Sequence, residues 1–259
     1  MTRVSAGCRA TVWDTRSVSG GELAVVIVAV LVAAHVQVLA GFGFALLAMP
    51  VMTLAIPVER AVVIASLLSV CTTTWQSIHL RGDADPLLVR RLTLASLVGM
   101  PLGLVVLNVV DDRALRIVLG VSVLIATGLL ARRLSLAHVG PALDHAAGFV
   151  SGVLNTSLGT NGPPLVFVLQ ARHLEPPRFR ATISAVFAFG NLFALTLFVL
   201  DGKITGEGMT AAALAVPAWL VGQVSGWRVR HHVHGERFRV LVLGLLALAG
   251  TTAIVFALA

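Results

Sequence analysis

Two short polar clusters interrupt an otherwise apolar chain, and both lie beside glycine. The first joins His35 and Gln37 to Gly41-Phe42-Gly43. The second runs from Asn155-Thr156-Ser157 into Gly159-Thr160-Asn161-Gly162-Pro163-Pro164. Neither cluster pairs a nucleophile with a base, and neither holds two carboxylates. The chemistry open to them is binding. Glycine and proline break a helix, and the break frees backbone N–H groups at the start of the helix that follows. The aligned peptide dipoles give that start about half a positive charge. Glycine lets the backbone approach a ligand closely, and proline suits the first helical turn. In an apolar setting such a break holds an anion without a buried arginine. The candidate binding residues are therefore His35, Gln37, Gly41 and Gly43 in the first cluster, with Asn155, Ser157, Thr160, Asn161 and Gly162 in the second. Asn, Ser and Thr at such a break also recap the freed backbone, and His35 fits an interhelical hydrogen bond as readily as a substrate or proton role.

What is missing also bears on the chemistry. All twelve acidic residues lie at the ends of apolar runs or in loops, whereas cation-driven carriers commonly hold a carboxylate at mid-membrane. The pattern favours an anionic ligand, and if protons are coupled His35 is the titratable candidate near the clusters. Thr72-Thr73-Thr74 with Gln76, and Asn108 and Asn191, read first as helix packing, although Asn191 beside Gly190 could border a cavity. His231, His232 and His234 fit no metal spacing and read as a solvated loop. No cofactor or metal is expected. The chain carries no Gly-x-x-x-x-Gly-Lys-Ser/Thr phosphate loop and none of the His-Glu-x-x-His or Gly-x-Ser-x-Gly signatures of hydrolases.

The elements that position these clusters are membrane helices. The 259 residues are 57% hydrophobic and only 12% charged, with a mean hydropathy of +0.93; a soluble domain carries roughly twice that share of charge. Eight apolar stretches run approximately over 23–55, 59–80, 88–110, 114–131, 143–171, 181–200, 207–227 and 237–257. Bilayer-spanning backbone must satisfy its own hydrogen bonds, so each reads as helix. The stretches 23–55 and 143–171 exceed the roughly 20 residues a span needs, and these two carry the glycine breaks. The excess of basic residues, net charge +7, points to loops against anionic lipid and not to nucleic acid. Cys8 and Cys71 make no disulfide framework, and the polar segment 1–22 with its acidic residues reads as a retained tail and not a cleaved leader.

An internal repeat organises the chain into 1–22, a first repeat over 23–134 and a second over 143–257. A shift of 120 residues lays Leu54 on Leu174, Pro57 on Pro177, Arg60 on Arg180, Ala61 on Ala181, Ala65 on Ala185, Leu80 on Leu200 and Gly82 on Gly202, and one break on the other. If each long segment folds back as a hairpin, twelve basic residues (Arg81, Arg90, Arg91, Arg132, Arg133, Arg172, Arg178, Arg180, Arg228, Arg230, Arg237 and Arg239) share one side of the membrane against seven on the other. The positive-inside rule then favours inverted repeats with both termini outside. The expected fold is an all-α polytopic membrane protein of two inverted repeats, each a broken, re-entrant hairpin plus three transmembrane helices.

These residues carry a resemblance. A glycine-rich break followed by proline in each half, then Pro57…Arg60-Ala61 and Pro177…Arg180-Ala181, resembles the TauE/SafE sulfite exporter family from about residue 23 onward. The resemblance implies a multi-pass permease of the bacterial inner membrane, moving sulfite, a sulfonate or another small organic anion. Phe42, Phe44 and Asn161 stand where that family tends to glycine, which leaves room for a bulkier anion. A membrane-embedded enzyme or assembly factor, or an anion channel, are the alternatives to a carrier. The sequence leaves oligomeric state open.

Overall fold

The computed structural model describes residues 19–40, 43–132, 140–229 and 236–258. The described residues form ten α-helices, with a short 3-10 turn over Arg81–Asp83 and no strand. In chain order they are α1 (Gly20–Ala40), α2 (Phe44–Met52), α3 (Val58–Leu80), α4 (Pro86–Val109), α5 (Asp112–Arg132), α6 (Pro141–Leu158), α7 (Gly162–Ala171), α8 (Pro176–Leu200), α9 (Gly206–Val229) and α10 (Glu236–Leu258). Seven of them, α1, α3, α4, α5, α8, α9 and α10, are long and apolar enough to cross a membrane. The helix starts follow local chemistry. Proline leads α4, α6 and α8, where its missing N–H costs nothing, and Asp85 caps α4 by accepting from the Leu87 and Leu88 amides at 3.1 Å.

Polar contacts sort the helix ends into two groups. At a mixed-charge end, the Val58 amide donates to Asp112 at 2.7 Å, Asn108 to Asp201 at 2.9 Å, and Lys203 pairs with Glu59 at 2.9 Å. Arg60 meets Glu207 at 3.6 Å there, and Arg113 reaches the Leu258 carbonyl. Arg116 donates to the carbonyls of Thr53 and Ile56, which fixes the chain leaving α2 at this same end. At the opposite, arginine-rich end, Arg178 pairs with Asp85 at 2.8 Å. Arg172, just past α7, grips the fully buried Asp144 of α6 with both carboxylate oxygens at 2.8 Å, and Arg91 of α4 adds a third contact at 3.5 Å. The short helices α2 and α7 therefore return to opposite ends. With 9 and 10 residues each rises only about 14 Å, less than half of a ~30 Å apolar layer.

Close helix pairs hold the bundle. The glycines of α4 and α6 interlock, so that a Cβ on Gly152 would overlap the Ser96 carbonyl and one on Gly103 the Val153 carbonyl. The glycines of α9 lie on α1 in the same manner, Gly222 over Leu31 and Ala34, Gly226 over His35. In the interior Met49, Met52, Ile64, Met100, Leu119 and Phe198 are fully buried. Outward-facing residues such as Val98, Val109, Leu200 and Phe256 are apolar and more than half exposed, as lipid contact requires.

Candidate functional site

Both chain reversals rest on glycine. α1 ends at Ala40 and α2 begins after Gly43, whose φ of 97° lies in the left-handed region. α6 ends at Leu158 with Gly159 at φ 66°; the Gly159 amide bonds the Asn155 carbonyl at 3.0 Å and the Thr160 amide the Leu154 carbonyl at 3.2 Å. The bond from Gly159 is that of an αL ending, which wants glycine because a Cβ is strained at such φ. After it, Asn161 leads α7.

The two reversals meet. A Cβ on Gly159 would lie 3.2 Å from the Met49 sulfur of α2, and one on Gly162 3.7 Å from Leu46. Between them is a cavity of about 30 Å³, walled by Gly43, Phe44, Ala45 and Leu46 from the start of α2 and by Gly159, Thr160, Asn161 and Gly162 at the start of α7. Gln37 completes the α1 side; Ser66, Ser69 and Thr73 come from α3, and Phe187 and Asn191 from α8. The first intrahelical bond of α2 runs from the Leu47 amide to the Gly43 carbonyl, so the amides of Phe44, Ala45 and Leu46 have no partner within the helix. In α7, Pro163 and Pro164 remove two of the three equivalent donors and leave the Gly162 amide. The Thr160 hydroxyl is fully buried on the cavity wall and has no hydrogen-bond partner among the described residues. The Asn161 side chain donates to Asn191 at 3.4 Å. No described residue of the wall is charged.

Of the residues named from sequence, Gln37, Gly43, Thr160, Asn161 and Gly162 line this cavity. Gly41 lies outside the described residues, as do His231, His232 and His234. His35 faces α9, its Nδ1 2.8 Å from the Ser225 hydroxyl. The Ser157 hydroxyl is spent on the Val153 carbonyl of its own helix at 2.6 Å, and Thr156 donates across to the Met100 carbonyl of α4 at 2.6 Å. Asn155 is buried with its Nδ2 unpartnered, near Gly190, but off the cavity wall. Ser66 and Ser69 escaped the sequence reading. With Thr73 they stand at i, i+3 and i+7, one face of α3, which is a stripe that could have marked a polar lining within an apolar run.

A second, larger cavity of about 780 Å³ lies among α3, α8 and α9 toward the arginine-rich end, with Trp75, Trp219 and Trp227 in its wall and Arg180 and Arg228 around it. A chain of hydrogen bonds separates the two. The Gln223 amide donates to Gln37 at 3.3 Å and to Thr72 at 3.3 Å, and the Trp219 indole donates to Thr72 at 3.1 Å.

Buried polar groups aimed at a hollow between two helix starts, in a bundle of membrane-length helices, belong to solute movement more than to catalysis. The family model described as "Sulfite exporter TauE/SafE" matches residues 26–253. The chain belongs to the TauE/SafE sulfite exporter family. A TauE/SafE relative from Cupriavidus necator, the "Probable sulfite/organosulfonate exporter TauE", is 25% identical over 204 residues, which cover 75% of this chain and 78% of that protein. No solved structure matches significantly. As a TauE/SafE member with seven membrane-length helices, this is a multi-pass membrane transporter.

Proposed function

We propose that this transporter exports a small anion, sulfite or a sulfonate, across the bacterial inner membrane by alternating access around the junction of the two helix breaks. The observation that carries the reading is the buried Thr160 hydroxyl, without a partner among the described residues, on the wall of a cavity where the starts of α2 and α7 converge. A group so placed is costly unless a ligand or water completes it. The sulfite or organosulfonate in the relative's name agrees with an anion at such a site.

In this reading the halves are inverted repeats. α1–α2 and α6–α7 are re-entrant hairpins from opposite faces, and the arginine-rich end is cytoplasmic. Supporting it, α4 and α9 occupy 86–109 and 206–229, one 120-residue shift apart. The pairs exchange in register as well: α4 packs on α6 as α9 packs on α1, while α5 meets α10 and α3 meets α8 across the middle. A cavity of 30 Å³ holds a water and little more, so it represents a closed state, and the 780 Å³ hollow is the approach from the cytoplasmic side. Any coupled proton would sit on His35. His35→Gln separates the two roles, since glutamine keeps a hydrogen bond to Ser225 but cannot titrate.

The test is flux in proteoliposomes. Asn161→Leu or Gly43→Leu abolishes sulfite or sulfonate transport while the protein still inserts and elutes as the wild type does. Unchanged flux in both variants removes the site; currents without saturation or counterflow would make the protein a channel.

A further inference from the structure

We infer that the large hollow among α3, α8 and α9 is a binding site for an anionic phospholipid, its phosphate on Arg180 and Arg228 and an acyl chain against the tryptophans. Three of the chain's four tryptophans, Trp75, Trp219 and Trp227, line this hollow, and the fourth, Trp13, lies outside the described residues. The chain has no tyrosine. Tryptophan ordinarily rings a membrane protein at the level where hydrocarbon gives way to headgroups. Here every described tryptophan is gathered at one place.

The hollow has the polarity and depth of one leaflet. His79 in the last turn of α3, Arg228 in the last turn of α9 and Arg180 near the start of α8 set its mouth at the arginine-rich end. Cys71 precedes His79 by eight residues, and Leu220 precedes Arg228 by eight, so the walls run about 12 Å inward. That is less than half of a ~30 Å apolar layer. Below the mouth the walls are mainly apolar. Trp75 and Trp227 are 65% and 66% exposed, and Leu220 and Val224 about half, so the described helices leave them for another apolar body to cover. The Trp75 ring stacks on His79 with centroids 3.8 Å apart, which holds the indole in place.

Charge decides which apolar body. No described residue lining the hollow is acidic, whereas two are arginines, whose planar forks match phosphate oxygens. Basic pockets between membrane helices take anionic headgroups. A volume of about 780 Å³ is near the upper end of the range for small-molecule sites. A small free oxyanion would fill a fraction of it and leave tryptophan facing water; a phospholipid satisfies both the arginines and the apolar wall. The inference goes beyond the transport reading. If the hollow is also the solute's approach, the lipid forms one side of that route.

The test is contact between lipid and indole. Full-length protein is reconstituted in phosphatidylcholine vesicles holding a small fraction of lipid brominated along its acyl chains, either phosphatidylglycerol or phosphatidylcholine. Bromine in contact with tryptophan quenches its fluorescence. Brominated phosphatidylglycerol should quench at a mole fraction at least about tenfold lower than brominated phosphatidylcholine, since each arginine is worth about fivefold for an anionic headgroup. Arg228→Gln should take back about fivefold of that preference. Arg132→Gln, at the last turn of α5 and off the hollow, should leave it intact. Replacing Trp75 and Trp227 together by Phe should remove most of the quenching specific to phosphatidylglycerol. Equal quenching by the two lipids overturns the inference, as does a loss in Arg132→Gln equal to that in Arg228→Gln. Inorganic phosphate or methanesulfonate, added at constant ionic strength, should leave the preference standing; abolition by either would assign the hollow to a free anion. Quenching by neither lipid would mean that protein, a second copy included, covers this face, and would also overturn it. No flux enters the experiment, so its failure leaves the transport reading as it stands.

Discussion

The seam between α4 and α6 and the seam between α1 and α9 do the same job in the two halves, yet they are built differently. α4 and α6 contribute two glycines each, and backbone lies on backbone: added Cβ atoms would overlap carbonyls on the opposite helix. Its polar links are Thr156 to the Met100 carbonyl, short and buried, and Arg91 to Asp144 near the arginine-rich end. Pulling this seam apart would lose close backbone packing that lipid tails do not reproduce. α1 and α9 have glycine on one side only, and their links are side chain to side chain, His35 with Ser225 and Gln223 with Gln37. Such pairs can exchange partners with water or solute at little net cost. The 780 Å³ cavity also borders this second seam, at Val38, Leu220, Gln223 and Val224. Under the proposed function, this contrast would make the α6–α7 break the fixed element of the site and the α1–α2 break the movable one.

The largest effect tests that contrast directly. Gly152→Ala should cost about 3 kcal/mol, because its Cβ meets the Ser96 backbone, which cannot rotate away. Gly222→Ala, with contacts of 2.6 Å to the Leu31 carbonyl and 2.8 Å to the Ala34 Cβ, should cost nearer 1 kcal/mol as the looser seam spreads. Thermal unfolding of the two variants in the same detergent measures it; equal losses would erase the distinction between the seams.

Next in size is the mouth of the second hairpin. Asp144 is fully buried between Arg172 and Arg91. Asp144→Asn leaves two cations facing a neutral group and should cost about 3 kcal/mol or somewhat less, since both arginines keep some solvent. Arg172→Gln in that background should recover part of the loss, a coupling that a double-mutant cycle reads. The mouth of the first hairpin closes differently, with Arg116 on the carbonyls of Thr53 and Ile56, and Arg116→Gln should cost about 1 kcal/mol. An Arg116 loss as large as that of Asp144 would mean both hairpins are anchored alike.

Gln223→Leu should lower stability by only about 1 kcal/mol yet change flux severalfold, because Gln223 bridges Gln37 and Thr72 between the two cavities. A variant with unaltered flux would show that the partition is not on the path.

How much of this was legible follows from what lipid does to sequence. Run lengths against bilayer thickness located the helices to within a few residues: 59–80 became Val58–Leu80, and 207–227 became Gly206–Val229. The glycine and proline clusters fell between α1 and α2 and between α6 and α7. Facing was harder to read. In water the apolar stripe of a helix marks its buried side, but here the outward side is apolar too, so α3 gave no sign that Ser66 and Ser69 line the small cavity while Ile78 faces outward. Partners far apart in sequence were invisible for the same reason. His35 finds Ser225 across 190 residues, and Asp144 looked like an ordinary helix start until Arg91 and Arg172 closed on it. α1 also proved long enough to span by itself, because its 21 residues carry one acidic group at the very start, whereas α6 begins with Asp144 and His145.

The smallest effect separates a helix cap from an ion pair at the arginine-rich end. Burial alone would raise the Asp85 carboxyl, but the Leu88 amide, the Arg178 guanidinium and the Leu87 amide together hold it below the ordinary carboxylate value. A carboxylate lowered in the folded state contributes fully above its unfolded pKa of about 3.9 and loses that contribution as pH falls through the lower folded value. Stability should therefore be flat in this respect through neutrality and decline only below about pH 4. Asparagine caps nearly as well as aspartate, so Asp85→Asn keeps the bonds to Leu87 and Leu88 and loses only the charge. With Arg178 half exposed, that loss should be a few tenths of a kcal/mol, whereas Asp85→Ala should cost about 1 kcal/mol. If Asp85→Asn proves as damaging as Asp85→Ala, the link from α4 to α8 through Arg178 outweighs the cap, and this end of the bundle is tied by charge across helices and not by each helix finishing itself.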